Sequence, residues 1–261
     1  MKSRAAEPAS SPWPVLGNIA VPDWLLLTGG IVILWELAHL AFGAATLPSP
    51  WTTLRALGLM ASDPDFPKSL EATGMAFAMA LLIASLGGLG LGVILGARHL
   101  AGEVAEPILA ALYSLPKVTL YPVILLIFGL GMSAKVAFGA MHGIIPIIIM
   151  TMTAVRNIRP VYVRSARAMR LSGWQSVVHV LFPATVPEVM AGLRMGFALT
   201  LLGTLIGEMF AANSGVGYLL MQAMGRDDIR TIMALALLLF VFATLINLAL
   251  LGFERRFFHK Q

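Results

Sequence analysis

Cysteine is absent from the 261 residues, which excludes disulfides, thiolate metal sites and cysteine nucleophiles. Charge is scarce too. Asp, Glu, Lys and Arg make up 12% of the chain against 58% hydrophobic residues, where a soluble domain carries about a quarter charged and about half apolar. So little polar side chain cannot cover a soluble core, and the mean hydropathy of +0.85 points the same way. A phosphate-binding loop is missing, because none of the five lysines follows the glycines of G-x-x-x-x-G-K-[ST]. ATP hydrolysis by this chain alone is therefore not expected. No nucleophile–histidine–acid set and no histidine pair at metal spacing is present, so a membrane-embedded enzyme lacks its constellation. The net charge of +5 does not imply nucleic acid, because the basic residues sit at the ends of apolar runs rather than on one face.

What the chain does have is long apolar runs. Met1–Val21 is interrupted by Pro8, Pro12 and Pro14, which does not fit a signal peptide; it reads as a cytoplasmic tail (residues 1–21) before a single membrane domain (22–261). A crossing helix needs about 20 apolar residues. The segments 24–42, 70–97, 119–130, 134–155, 188–211 and 231–253 qualify or nearly so, predicting an all-α integral membrane protein of about six spans. The short third segment is expected to begin near Glu106 and run kinked through Pro107 and Pro116. With the N-terminus inside, the inner segments hold eleven Lys and Arg and the outer ones five, namely Arg55, Lys68, Lys135, Arg226 and Arg230. That asymmetry predicts both termini in the cytoplasm. Gly87, Gly88, Gly90, Gly92 and Gly96 in the second span predict a tight helix crossing.

Between the fourth and fifth spans lies an arginine-rich loop of residues 156–187, carrying Arg156, Arg159, Arg164, Arg167 and Arg170. Arg159-Pro160 opens a helix, proline suiting its first turn. Ser172-Gly173-Trp174-Gln175 fits a capping box, and Pro183 is expected to end that second helix. Thr185-Val186-Pro187-Glu188 repeats the box pattern and is expected to start the fifth span. A helix lying in the lipid headgroups, anchored by Trp174 and the arginines, suits the same residues as a protein-docking element does.

Ionisable residues inside apolar segments are costly and tend to be functional. Glu208, beside Gly203 and Gly207, is the leading candidate on a translocation pathway, with hydrogen bonding to a neighbouring helix as the alternative. Gly207 and His142 join it as pathway candidates, although packing is favoured for His142. Glu36 and His39 are spaced to pair with each other, and Arg194 is close enough to the inner end to snorkel. Residues 211–229 break helical periodicity, and a re-entrant or surface helix fits there. An ion-coupled carrier or small channel is the rival class, but it would more often show inverted repeats and several midplane carboxylates.

Three stretches carry a family resemblance covering about residues 70–253: Ala111-Leu112-Tyr113-Ser114-Leu115-Pro116-Lys117 with Tyr121-Pro122 and Phe128-Gly129-Leu130-Gly131; the loop; and Gly207-Glu208-Met209 through Gly215-Val216-Gly217-Tyr218. The chain resembles the permease subunit of bacterial ABC importers, in the branch handling nitrate, taurine, sulfonates and bicarbonate. The family's loop pattern is Glu-Ala-Ala, a glycine one turn on, and a closing Ile-x-Leu-Pro. Here it falls on Arg164, Ser165 and Ala166, then on Arg170, then on Val180, Phe182 and Pro183, with Leu171, Ser172, Gly173, Trp174 and Gln175 around the break. Arg164 and Arg170 depart from it. Arginine in the glycine's place is expected to be strained or to force a different turn.

The resemblance implies a type I importer fold and a loop, with Arg167 among its residues, that docks on a cytoplasmic ABC ATPase. ATP and Mg would sit on that subunit, with no cofactor or metal on this chain. It also implies a periplasmic or extracellular solute-binding protein docking near Asn213, Tyr218, Arg226, Asp227 and Asp228, a second permease copy or paralogue, and residence in the bacterial inner membrane among lipid.

Overall fold

The computed structural model describes residues 23–258, so the expected tail of residues 1–21 lies outside the described residues. Two compact units divide at Pro50. In the first, helix α1 (Asp23–Phe42) leaves Leu26, Leu34 and Leu40 exposed, as suits a face meeting lipid. Its C-terminal turn uses Gly43 at φ +81. There Trp35 Nε1 donates to the Pro48 carbonyl at 3.0 Å, and His39 Nδ1 meets the Leu47 carbonyl at 2.6 Å. His39 thus directs its ring to backbone rather than to Glu36.

The second unit runs through α2 (Pro50–Ala61), α3 (Phe66–Ala97), α4 (His99–Ser114), α5 (Tyr121–Phe128), α6 (Met132–Arg156), α7 (Pro160–Ala168), α8 (Gly173–Ser176), α9 (Phe182–Ala211), α10 (Val216–Gly225) and α11 (Ile229–Phe258). No strand occurs among the described residues. Among the described residues, five helical stretches are long and apolar enough to cross a bilayer, six if the bent α4–α5 pair is one span.

Glycine decides which faces meet. On α3, Gly88, Gly92 and Gly96 are buried, and a Cβ at each would fall 2.6, 2.5 and 2.7 Å from Ile147, Thr151 and Met152 of α6. The expected close crossing is present. Helix α6 lends its other side to α9 in the same way, with Gly139 and Gly143 under Thr204 and Thr200. Gly196 and Gly203 of α9 answer against Ile147 and His142. Such small-residue contacts let backbones close in where lipid offers no hydrophobic drive. Helix α6 is therefore the buried centre, with Phe138, Ile147 and Met152 almost fully enclosed. Away from it the rule inverts, and Leu126 on α5 is 87% exposed.

Two expected boundaries are corrected. The third segment is not a kinked helix from Glu106. Helix α4 begins at His99, carries Pro107 internally, stops at Ser114, and meets the next apolar piece at 86°. Pro116 forces Leu115 to an extended ψ of 135°, as the residue before a proline must be. The chain restarts through a tight turn at Lys117–Leu120, and Pro122 sits in the first turn of α5. Lys117 Nζ donates to the Tyr113 carbonyl at 3.2 Å, satisfying an acceptor freed by the break.

The second correction concerns Pro183, which does not end a helix. Residues 173–210 form one 38-residue helical stretch. Its backbone widens into a π turn at Val177–Leu181. Pro183 offers no N–H to the His179 carbonyl and its ring crowds that carbonyl. A local π turn accommodates both without breaking the helix.

Candidate functional site

The arginine-rich loop is a helix–turn–helix. Pro160 takes the first turn of α7 as expected. The helix ends in a Schellman motif: the Leu171 N–H donates to the Ala166 carbonyl at 3.1 Å, and the Arg170 N–H to the Arg167 carbonyl at 3.0 Å. Arg170 occupies the left-handed position at φ +52. Of the two expected outcomes, strain is realised and the turn is kept, at about 1–2 kcal/mol.

The Ser172 capping box forms in full. Gln175 N–H donates to Ser172 Oγ at 3.3 Å and Ser172 N–H to Gln175 Oε1 at 2.9 Å. The second expected box does not form, since the Thr185 hydroxyl donates to the Phe182 carbonyl at 2.9 Å inside a continuing helix. Ala166 is buried, and α7 packs on the π turn at Val177–Leu181. Arg164, Ser165, Arg167, Arg170, Ser172, Gly173, Trp174, Gln175 and Phe182 are exposed, while Leu171, Val180 and Pro183 are half-buried.

At the other end of α9, Glu208 is fully buried. Thr73 Oγ1 of α3 lies 3.0 and 2.8 Å from its two oxygens, and accepts the Val216 N–H at 2.7 Å. The Gly217 N–H donates to Glu208 Oε2 at 2.9 Å. Lys135 Nζ of α6 stands 3.4 Å from Oε1 and donates to the Ser214 carbonyl at 2.7 Å. The α9–α10 connection wraps the carboxylate through Gly215 at φ +120, where a Cβ would collide with the Glu208 carboxyl group. One residue earlier on α9, the Gly207 carbonyl accepts the Tyr121 hydroxyl at 2.9 Å. A buried charge is tolerable only when paired and hydrogen-bonded, and this one has both. It fastens α3, α6, α9 and the start of α10 together.

The pathway candidates are not gathered on one cavity wall. Gly207 and Glu208 belong to this knot. His142 is buried under Gly203 with Nδ1 at 2.9 Å from the Phe138 carbonyl, as packing predicts. A cavity of about 660 Å³ between α3, α5 and α6 is lined by apolar residues such as Met79, Ile83, Phe128 and Met141, and by none of the three candidates.

The binding-protein docking candidates fall into separate places. Asn213 lines a cavity of about 450 Å³ with Lys135 and Ser214. Tyr218 Oη accepts Gln222 Nε2 at 2.6 Å on α10, the short helix expected there as re-entrant or lying at the surface. Arg226 and Asp228 line a cavity of about 230 Å³ with Asp63 and Asp65. Asp227 closes α10 with a second Schellman motif at φ +53, a conformation aspartate tolerates better than arginine does. Asp228 caps α11, taking the Thr231 N–H at 3.2 Å and hydroxyl at 2.6 Å, and these bonds hold its pKa below the usual carboxylate value.

Sequence reasoning missed Thr73, Ser214 and above all Lys135, which it placed in an outer segment. Lys135 is instead the buried counter-ion of Glu208. The signal was there: a carboxylate inside an apolar helix demands a cation, and Lys135 begins the helix that α9 packs on. Arg194 faces Glu254 of α11 at 3.1 Å. Arg156, grouped with the loop's free arginines, pairs with Glu106 of α4 at 2.9 Å.

Glycine-tight spans with a capped helix–turn–helix between two of them make an all-helical membrane protein, an architecture that suits a transport permease. The chain is a member of the family described as binding-protein-dependent transport system inner membrane component, whose pattern matches residues 88–260. It is 32% identical over 232 residues to a protein named as an aliphatic sulfonates transport permease of Escherichia coli (strain K12), covering 84% of this chain and 86% of that one. A nitrate import permease of Synechococcus elongatus is 26% identical over 200 residues, covering 73% and 72%. The taurine transport system permease of Escherichia coli (strain K12) is 24% identical over 257 residues, covering 94% and 90%. The expected ABC permease fold, of the sulfonate, nitrate and taurine branch, is thereby established.

Proposed function

We propose that this chain is the translocating subunit of an ATP-binding-cassette importer for a small anion such as a sulfonate, taurine, nitrate or bicarbonate. An external solute-binding protein delivers the solute near the α9–α10 and α10–α11 turns. A separate cytoplasmic ATPase, carrying ATP and Mg, docks on residues 156–187. Two permease copies, or this chain and a paralogue, enclose the pathway, with both termini on the ATPase side of the inner membrane. Sulfonate, nitrate and taurine come from the names of the relatives, and bicarbonate from the family resemblance.

One observation carries the reading. The helical stretch from Gly173 to Phe210 is 38 residues long, or about 57 Å at the α-helical rise of about 1.5 Å per residue. That exceeds the roughly 40–45 Å of a bilayer with its headgroups. Its inner end is the exposed, capped loop, and its outer end carries the Glu208 knot that holds α10. Force applied at Trp174 therefore reaches the outer face through one continuous element. The rival, an ion-coupled carrier, needs a carboxylate open to a passing ion, whereas the oxygens of Glu208 are occupied by Thr73, Lys135 and Gly217. The test is reconstitution in proteoliposomes with the ATPase and binding protein. Uptake is expected only with ATP inside and binding protein outside. Vectorial transport by the chain alone down a proton or sodium gradient would end the proposal.

A further inference from the structure

The docking loop has a charge character that the importer reading does not by itself require. From Asn157 to Pro187 there is no Asp or Glu, while Arg159, Arg164, Arg167 and Arg170 all fall in this segment. All four are exposed, and none makes an ion pair among the described residues. Arg159 stacks only on its neighbour Tyr162, at 6.0 Å from the ring. The nearby Arg156 shows the contrast, since it has its carboxylate in Glu106. Arg164 and Arg167 are three apart on α7 and so adjacent on its surface, where like charges repel. Arg170 follows in a left-handed conformation, so basic charge is kept even at a position where glycine would be relaxed.

The arginines belong to α7 and its cap, where Val161, Tyr162 and Met169 are exposed beside them. The most exposed apolar side chains beyond the turn are Trp174, at 77%, and Phe182, at 62%. A helix lying in headgroups carries the two characters on opposite faces, and α7 has both. The turn after it is held by two backbone hydrogen bonds and the Ser172 box by two more, which gives the loop the defined shape that a protein groove can read.

We propose that the ATPase groove receiving this loop is lined by carboxylates, and that Arg164 and Arg167 pair with them and so select the ATPase that this permease accepts. The inference rests on the docking reading above and narrows it to an acidic partner surface. Desolvated charge pairs of this kind discriminate strongly between partners, because a like-charged groove is left with unpaired cations.

The test exploits the lysine distribution. The five lysines are Lys2, Lys68, Lys117, Lys135 and Lys260, so Arg164→Lys and Arg167→Lys each place a single amine in the loop and preserve its charge. The complex purified with its bound ATPase, in nanodiscs of phosphatidylcholine alone, is treated with a carbodiimide that joins amine to carboxylate without a spacer. The expected product is a permease–ATPase conjugate mapped by mass spectrometry to an Asp or Glu of the ATPase. In parallel, Arg164→Glu with Arg167→Glu is expected to weaken ATPase binding by at least about tenfold.

A complex that forms with neither lysine variant cross-linking to it overturns the acidic groove and leaves the docking reading standing. Failure of any ATPase to associate with the wild-type chain overturns the docking reading itself. Unchanged ATPase affinity in the double glutamate variant, with binding that instead requires anionic lipid, assigns the arginines to headgroups and also overturns the proposal.

Discussion

Arg170 holds a conformation that glycine would hold without penalty. Arg170→Gly should therefore relax the α7 cap, by about 1 kcal/mol once glycine's greater freedom in the unfolded chain is set against the left-handed strain. Thermal melting in detergent should show a higher midpoint, and a lower one would mean the arginine side chain makes a compensating contact. At the far end of the molecule Lys135 and Glu208 should behave as a unit. Lys135→Met leaves an uncompensated buried carboxylate and is expected to destabilise by about 3–5 kcal/mol, with much of this recovered in Lys135→Met combined with Glu208→Gln. A double-mutant cycle on detergent-solubilised protein measures the coupling, and simple additivity would show the pair to be energetically idle.

Asp228 adds a pH dependence whose sign follows from its bonds to Thr231. Its folded-state pKa is lowered, so the α11 cap is at full strength at neutral pH, above the ordinary aspartate value of about 3.9. The stabilisation is lost as pH falls through the lower folded value. Asp228→Ala should remove about 1 kcal/mol at pH 7 and flatten the acid limb of the stability curve, as a melting series between neutral and acid pH would show.

Among the helices, two glycines of α3 two positions apart differ sharply. A Cβ on Gly92 would reach 2.5 Å from Thr151, whereas one on Gly90 meets nothing within 4 Å. Gly92→Leu is expected to prevent α3 and α6 from closing and to give aggregated protein by size-exclusion chromatography. Gly90→Leu should elute as wild type, having gained helix propensity on an exposed face. Equal behaviour of the two would mean the α3–α6 approach is looser than the backbone distances state. The two proline-bearing connections also divide at this scale. Pro116 breaks its helix because the chain turns through 86° there, whereas Pro183 is absorbed by a π turn. Proline spacing alone does not separate these outcomes; what lies beside the freed carbonyls does.

For the molecule as a whole, the absence of cysteine makes topology directly measurable. Trp174→Cys should react with a membrane-impermeant maleimide only from the inside, and Arg226→Cys only from the outside. Labelling of intact spheroplasts against opened ones reads this, and both sites reacting from one side would invert the lever that links loop to outer end.

Much of this molecule is legible along the chain. The membrane class, the arginine loop, the Pro160 start and the Ser172 box follow from composition and from residues a turn or less apart, where hydrogen bonds close on near neighbours. The warning at Arg170 comes from the family's loop pattern, which has a glycine in that place. The rest required the fold. Thr73 lies 135 positions and Lys135 73 positions from Glu208, and nothing local says which faces of three apolar helices will meet. Hydropathy is blind to that choice because in lipid both faces are apolar. The choice is made by glycine contact and by the need of one buried carboxylate for a cation, and both are satisfied only once the helices are packed.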